Sequence, residues 1–280
     1  MRSEQLAWLI KRHGIEMTHI SHGSHIGSIL SVADIVAVLY NDVANITPEN
    51  VKDENRDRIV LSKGHAGAAI YAALAEKGFF PVEELKTHYA DGSRLSGHVS
   101  HKGIPGVEIS TGSLGHGACM ACGIALNAKL EKMPYFTYAI VGDGECDEGS
   151  IWEMALFANH FKLNQFVVIV DHNKMQSLDY CENTLALSPF AEKWKAFGWN
   201  VFDIDGHNHD EIRKALNDAK LSADKPTVII ANTVKGNGIS FMENDILWHY
   251  RFPHDGEEYD GALAELHAVM PEGIVDPYEE

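Results

Sequence analysis

Basic charge is what this chain most lacks. Its 280 residues carry 23 Lys and Arg against 40 Asp and Glu, a formal charge of −17. Nucleic acid and anionic membrane both call for a basic footprint, so neither is an expected partner. Cysteine is scarce as well: four in this length are too few for a disulfide framework. Cys119 and Cys122 form a C-x-x-C among Ala, Met and Gly. No second pair follows to complete a four-ligand zinc site, so they read as small helix-packing residues. No apolar run is expected to reach membrane-spanning length, and the opening MRSEQLAWLIKRHGIEMTHIS interleaves charges as an amphipathic helix, not a signal peptide. A cytoplasmic location is the expectation. Internal repeats, low-complexity segments and proline- or serine-rich linkers are missing too. Residues 1–280 therefore read as a single domain with an acidic tail over about 255–280.

What is present is an alternation of two periodicities. Strand-like runs at Arg58–Leu61, Tyr135–Val141, Gln165–Asp171, Trp199–Ile204 and Thr227–Thr233 are apolar on both faces. Between and around them lie helical patterns at Ser3–His13, Ser31–Asn41, Ala66–Lys77, Gly117–Lys132, Ser150–Phe161, Pro189–Phe197, Asp210–Leu221 and Gly261–Val269, with a short helix started by Pro81. The order predicts an α/β fold, a three-layer sandwich whose mostly parallel sheet is covered by helices on both faces.

The segment from Val141 to Gln176 carries the strongest chemical signal. Gly142-Asp143-Gly144 follows a strand, a helix and a second strand come next, and Asn173 closes the unit. An isolated Gly-Asp-Gly is usually a tight turn. Here the strand, helix, strand order brings Asp143 and Asn173 to the carboxyl ends of two parallel strands, where open α/β sheets bind ligands. A carboxylate and an amide carbonyl are the hard oxygens Mg²⁺ takes, and the two glycines leave room for phosphate oxygens. Against the global negative field, a phosphate would be met by such a metal, by helix termini, by histidines and by Lys235.

Sixteen histidines is a high count, and His25, His65, His98 and His116 sit in glycine loops, with His249 beside Trp248. Each alone reads as a surface or structural histidine. Together, neutral imidazoles that donate on one side and accept on the other suit a polyhydroxylated, phosphorylated substrate. No H-E-x-x-H pair supports zinc, no Walker A sequence exists, and Ser110 to Gly117 does not fit a nicotinamide fingerprint. Glu148 and Glu153 could be solvated charges, with Glu148 the better functional candidate because it sits at the helix start.

These motifs resemble the thiamine diphosphate-dependent transketolases, specifically the N-terminal, diphosphate-binding half. The resemblance runs from about Ser24 to Pro253, on Gly23-Ser24-His25, Leu61-Ser62-Lys63-Gly64-His65, Gly97-His98, Thr111-Gly112-Ser113-Leu114-Gly115, the Gly-Asp-Gly to Asn173 segment, Thr233-Val234-Lys235-Gly236, Glu243-Asn244 and Trp248-His249. It implies Asp143, Asn173 and the carbonyl of Met175 as ligands of Mg²⁺, for which Ca²⁺ or Mn²⁺ could substitute. It implies His65, His249 and Lys235 at the diphosphate, Gly112, Ser113 and Leu114 along the cofactor, and Gly142 and Gly144 cradling phosphate. His25, His65, His98 and His249 would be the catalytic set, His25 and His98 facing the sugar. Glu148 resembles the acidic residue at the subunit contact near the cofactor. The implied reaction moves a two-carbon ketol unit from a ketose or its phosphate to an aldose, with the cofactor as electron sink.

Two departures stand out. The family commonly has glutamine where this chain has His116. Nothing here resembles the pyrimidine-binding domain, which implies a second subunit carrying it, an α2β2 assembly, and no activity alone. The alternatives are the α subunit of a 2-oxo acid dehydrogenase, which shares the Gly-Asp-Gly pattern, and a cofactor-binding subunit without turnover.

Overall fold

A computed structural model describes residues 1–279. Five strands, β1 (Arg58–Leu61), β2 (Thr137–Gly142), β3 (Phe166–His172), β4 (Asn200–Asp205) and β5 (Thr227–Asn232), form one sheet in the order β1-β2-β3-β5-β4, every pairing parallel. All five expected strands are present, with ends shifted by a residue or two. The three central strands are buried almost throughout, as their unbroken apolar runs require. β4, at the edge, is only half-covered and turns Asp203 and Asp205 outward.

Strand side chains alternate between two cores. Tyr138, Ile140, Val167, Ile169, Ile229 and Ala231 face α1 (Ser3–Ser21), α2 (Ile26–Val38), α3 (Gly67–Glu76) and α8 (His209–Ala219). Ala139, Val141, Val168, Val170, Val228 and Ile230 face α4 (His116–Leu130), α5 (Gly149–His160) and α7 (Phe190–Ala196). A single turn, α6 (Cys181–Thr184), lies in the loop after β3, and α9 (Glu257–Ala268) joins the first core through Ala262 and Leu266.

Two sequence expectations need correction. The first helix continues past His13 to Ser21, because Gly14 is no stop signal: a Cβ there would lie 2.6 Å from Ile29 Cγ2, so the glycine permits α1 and α2 to cross closely. A stretch of membrane-spanning length does exist, since Ile26–Val43 is an 18-residue helical run of mean hydropathy 1.5. It is 89% buried inside the protein, where it forms the central core helix. The acidic C-terminal segment is docked: Trp8 Nε1 donates to the Leu266 carbonyl at 2.8 Å, and Arg12 Nε to Asp276 Oδ2 at 2.7 Å.

Candidate active site

The carboxyl ends of β2, β3 and β5 open onto a cavity of about 370 Å³. Because β2 pairs with β3 so that Gly142 stands opposite Asp171, Asp143 and Asn173 follow directly beyond the paired ends. Asp143 is buried. Its Oδ1 accepts from the Gly144 amide at 2.7 Å, and its Oδ2 accepts from the Lys174 amide. Lys174 adopts a left-handed φ of 68°, which turns that amide back onto the carboxylate. Asn173 Oδ1 accepts from the Met175 amide at 3.1 Å, and Met175 bridges antiparallel to Tyr180, folding the loop over the strand ends.

Beneath this pair lies a charged network. Asp171, fully buried at the end of β3, accepts from Lys63 Nζ, from Ser31 Oγ at 2.6 Å and from Thr233 Oγ1. Burial alone would push its carboxyl up, but Lys63 and the two hydroxyls outweigh that and hold it below the ordinary carboxylate range. Asp143 goes the other way, raised by burial and then by the charge of Asp171. A buried carboxylate held up in this way gains from a cation. Asn173 and Met175 line the same cavity, and the oxygens they can offer, a side-chain amide and a backbone carbonyl, are hard like the carboxylate, so these residues fit a divalent metal of the Mg²⁺ kind.

Farther along the cavity the chemistry changes. Lys235 is buried, and burial followed by the charge of Lys63 pushes its ammonium down to about 8. Its Nζ lies 2.7 Å from His249 Nδ1. His25 has ring centroids of His65, His249 and His98 at 5.1, 5.1 and 5.6 Å, so four imidazoles form one cluster. Burial, followed by the neighbouring positive charges, lowers His25 to about 4 and His249 to about 3, and holds His65 well below its ordinary value. Burial also lowers His98. The cluster is neutral at pH 7.

Of the residues expected at the site, His25, His65, His98, Gly112, Leu114, Gly142, Asp143, Gly144, Asn173, Met175, Lys235 and His249 all line this cavity. Ser113 and Glu148 are not among its lining residues: both are exposed on the surface, where Glu148 remains open to the subunit contact expected of it. Glu148 caps α5, its Cβ pressed near Gly115, whose φ of 79° no side chain adopts easily. His116 is exposed at the start of α4, its Nδ1 3.1 Å from the Leu114 carbonyl. Sequence reasoning passed over Asp171, Lys63 and Glu145. Glu145 accepts from Ser62 Oγ, from the Gly115 amide at 2.9 Å and from the Gly142 amide at 3.2 Å, tying three motifs together. A charged residue closing an otherwise apolar strand was the available signal for Asp171.

The model of the transketolase thiamine diphosphate-binding domain matches residues 4–250. The chain is 44% identical over 242 residues to the 6-deoxy-6-sulfo-D-fructose transketolase subunit SqwG of Clostridium sp. (strain MSTE9), covering 86% of this chain and 88% of that one. It is 38% identical to one subunit of the apulose-4-phosphate transketolase of Phocaeicola vulgatus, over 90% and 89% of the two chains. The solved transketolase of Campylobacter jejuni superposes with a TM-score of 0.87 at 30% identity, over 95% of this chain and 42% of that one. This chain thus spans nearly the full length of the separate subunits but less than half of the solved transketolase. The family match, the parallel sheet and the Asp143–Asn173 strand ends agree, and the chain belongs to the transketolase family as its thiamine diphosphate-binding domain.

Proposed function

We propose that this chain is one subunit of a two-chain transketolase that moves a two-carbon ketol unit from a ketose or ketose phosphate to an aldose or its phosphate. The observation that carries this reading is one cavity with a buried carboxylate–amide pair at one end and four neutral imidazoles at the other. Asp143, Asn173 Oδ1 and the Met175 carbonyl would hold Mg²⁺, and Lys235, His65 and His249 would face the diphosphate. The backbone at Gly112 and Leu114 runs beside the cofactor, while Gly142 and Gly144 leave space for phosphate oxygens. Thiamine diphosphate, when bound, supplies the electron sink for breaking and remaking the carbon–carbon bond.

The histidines supply position and protons. A neutral imidazole donates to a substrate hydroxyl, or to a carbonyl oxygen gaining charge, without placing a fixed cation in the cavity. His25 and His98 take that role; burial lowers the proton affinity of both, which favours the donating neutral form. The partner subunit brings the pyrimidine-binding domain, and two copies of each chain make an α2β2 assembly. Relatives whose names mark them as separate transketolase subunits, one named for a sulfo-sugar and one for a sugar phosphate, support both the divided arrangement and an anionic sugar substrate.

The test is reconstitution. Purified chain, a partner carrying the pyrimidine domain, thiamine diphosphate and Mg²⁺ are expected to transfer a ketol unit between a panel of ketoses and aldoses, and the chain alone is expected to be inert. Full turnover without a partner, or decarboxylation of a 2-oxo acid in place of ketol transfer, overturns the reading.

A further inference from the structure

Beside the large cavity lies a smaller one of about 50 Å³, walled by Gly23, Ser24, His25, His88, Tyr89 and Gly97 with His98. His25 and His98 belong to both. Two of the wall residues, His25 and His88, each bury a ring nitrogen, Nδ1 and Nε2 respectively, without any hydrogen-bond partner. Buried imidazole nitrogens are normally satisfied, and a space of this size holds a water.

The tautomer of His88 follows from its other nitrogen. Ser21 Oγ gives its single proton to the Met17 carbonyl at 2.6 Å. Towards His88 Nδ1, at 3.3 Å, Ser21 can then only accept, as it also does from the Gly23 amide. His88 Nδ1 therefore carries the hydrogen. Burial lowers this ring to about 4, so it is neutral at pH 7 and its Nε2 is a bare lone pair. That lone pair requires a donor, and no side chain of the wall provides one.

We propose that His88 is a positioning residue for His25, acting through a water in the small cavity that donates one hydrogen to His88 Nε2 and the other to His25 Nδ1. Ser24, on the same wall, can donate to that water's oxygen. The relay fixes the hydrogen of His25 on Nε2, for the large cavity that the same ring lines. His25 is thereby held as a hydrogen-bond donor to a substrate oxygen, the role assigned to it above, and the proposal rests on that reading for its effect on turnover. The logic is that of an outer partner fixing the tautomer of a functional histidine.

The experiment separates the two. Nitrogen-15 spectra of the full-length chain, labelled at histidine, report which ring nitrogen of His25 carries hydrogen, with no turnover required. We expect the Nε2–H form of His25 and the Nδ1–H form of His88. In His88→Phe the His25 signals should move to an average of both forms, and kcat of the reconstituted pair should fall about 10-fold or more, with thiamine diphosphate affinity unchanged. His88→Gln, whose amide can donate to Ser21 and accept from the water, should recover the fixed His25 form and most of kcat. A His25 that carries its hydrogen on Nδ1 in the unaltered chain overturns the proposal even if neither variant folds. So does a His25 spectrum indifferent to His88→Phe. A fixed Nε2–H form in a pair that transfers no ketol unit would leave the relay standing and remove the transketolase reading.

Discussion

The two ends of the cavity are built by opposite means. At the metal end, Asp143 and Asn173 stand on the ends of adjacent strands, and the charges around them are paired: Asp171 with Lys63, Ser31 and Thr233, and Glu145 with Ser62 and two backbone amides. At the histidine end, four rings arrive on loops and short 3₁₀ turns from distant parts of the chain, and one keeps a nitrogen without a partner. A sheet edge holds ions because its geometry is rigid and ion binding demands that rigidity. Loops suffice for neutral donors, whose hydrogen bonds tolerate more spread and must face a substrate that comes and goes. The metal end should thus govern what is bound, and the histidine end how fast it reacts.

The largest expected break comes at Asp143. Asp143→Ala removes the carboxylate from the proposed Mg²⁺ donor set, and cofactor affinity of the reconstituted assembly in the presence of Mg²⁺ should fall by more than the about 10–100-fold seen on losing an outer partner of a metal ligand. Calorimetric titration of thiamine diphosphate measures it; unchanged affinity would erase the division between the two ends.

Next is the ion pair beneath. Lys63→Met leaves Asp171 buried and uncompensated, which should cost about 3–5 kcal/mol in denaturant unfolding, while Lys63→Met with Asp171→Leu should recover much of it. The sign with pH is fixed. Asp171 is depressed in the folded protein, so its contribution is present above the unfolded carboxylate value and is lost as pH falls through the folded one. Without Lys63 that loss begins at higher pH. A single variant as acid-resistant as the parent would show that the pair is not holding the strand end.

The histidine end should give a different signature. His98→Ala is expected to lower kcat by about 100- to 1,000-fold, the scale of one lost donor to a charge-gaining oxygen, with cofactor affinity intact. Loss of cofactor binding instead would merge the two ends into one.

The contrast also explains what could be read from the sequence. The strands and the Asp143 to Asn173 unit were legible because their signals are local: apolar runs, turn glycines and a fixed order of elements. Asp171 and Glu145 were not, because the groups that give them meaning, Lys63 and Ser62, lie 108 and 83 residues away and meet them only in the folded chain. Ser113 and Glu148 are adjacent in sequence to cavity residues but exposed outside the cavity, so only the assembled subunits can show what they meet. His88 carries no glycine context at all, and only its buried, unsatisfied nitrogen marks it.

Lys235 sits where the two ends meet, and its titration gives the smallest and sharpest test. Burial and Lys63 lower its ammonium to about 8 in the free chain. A bound diphosphate favours the charged form and raises that value, so above pH 8 binding must take up a proton. Cofactor affinity should therefore be insensitive to this group below pH 8, then weaken as pH rises, by at most about tenfold per pH unit. His249, at about 3, and His25, at about 4, titrate too low to contribute in that range. Calorimetry in two buffers of different ionisation enthalpy reads the proton uptake directly. Lys235→Arg, always protonated, should bind with no such slope, and Lys235→Met should bind weakly and also without slope. A slope that persists in the arginine variant would move the titrating group elsewhere and leave Lys235 as a packed cation that anchors His249.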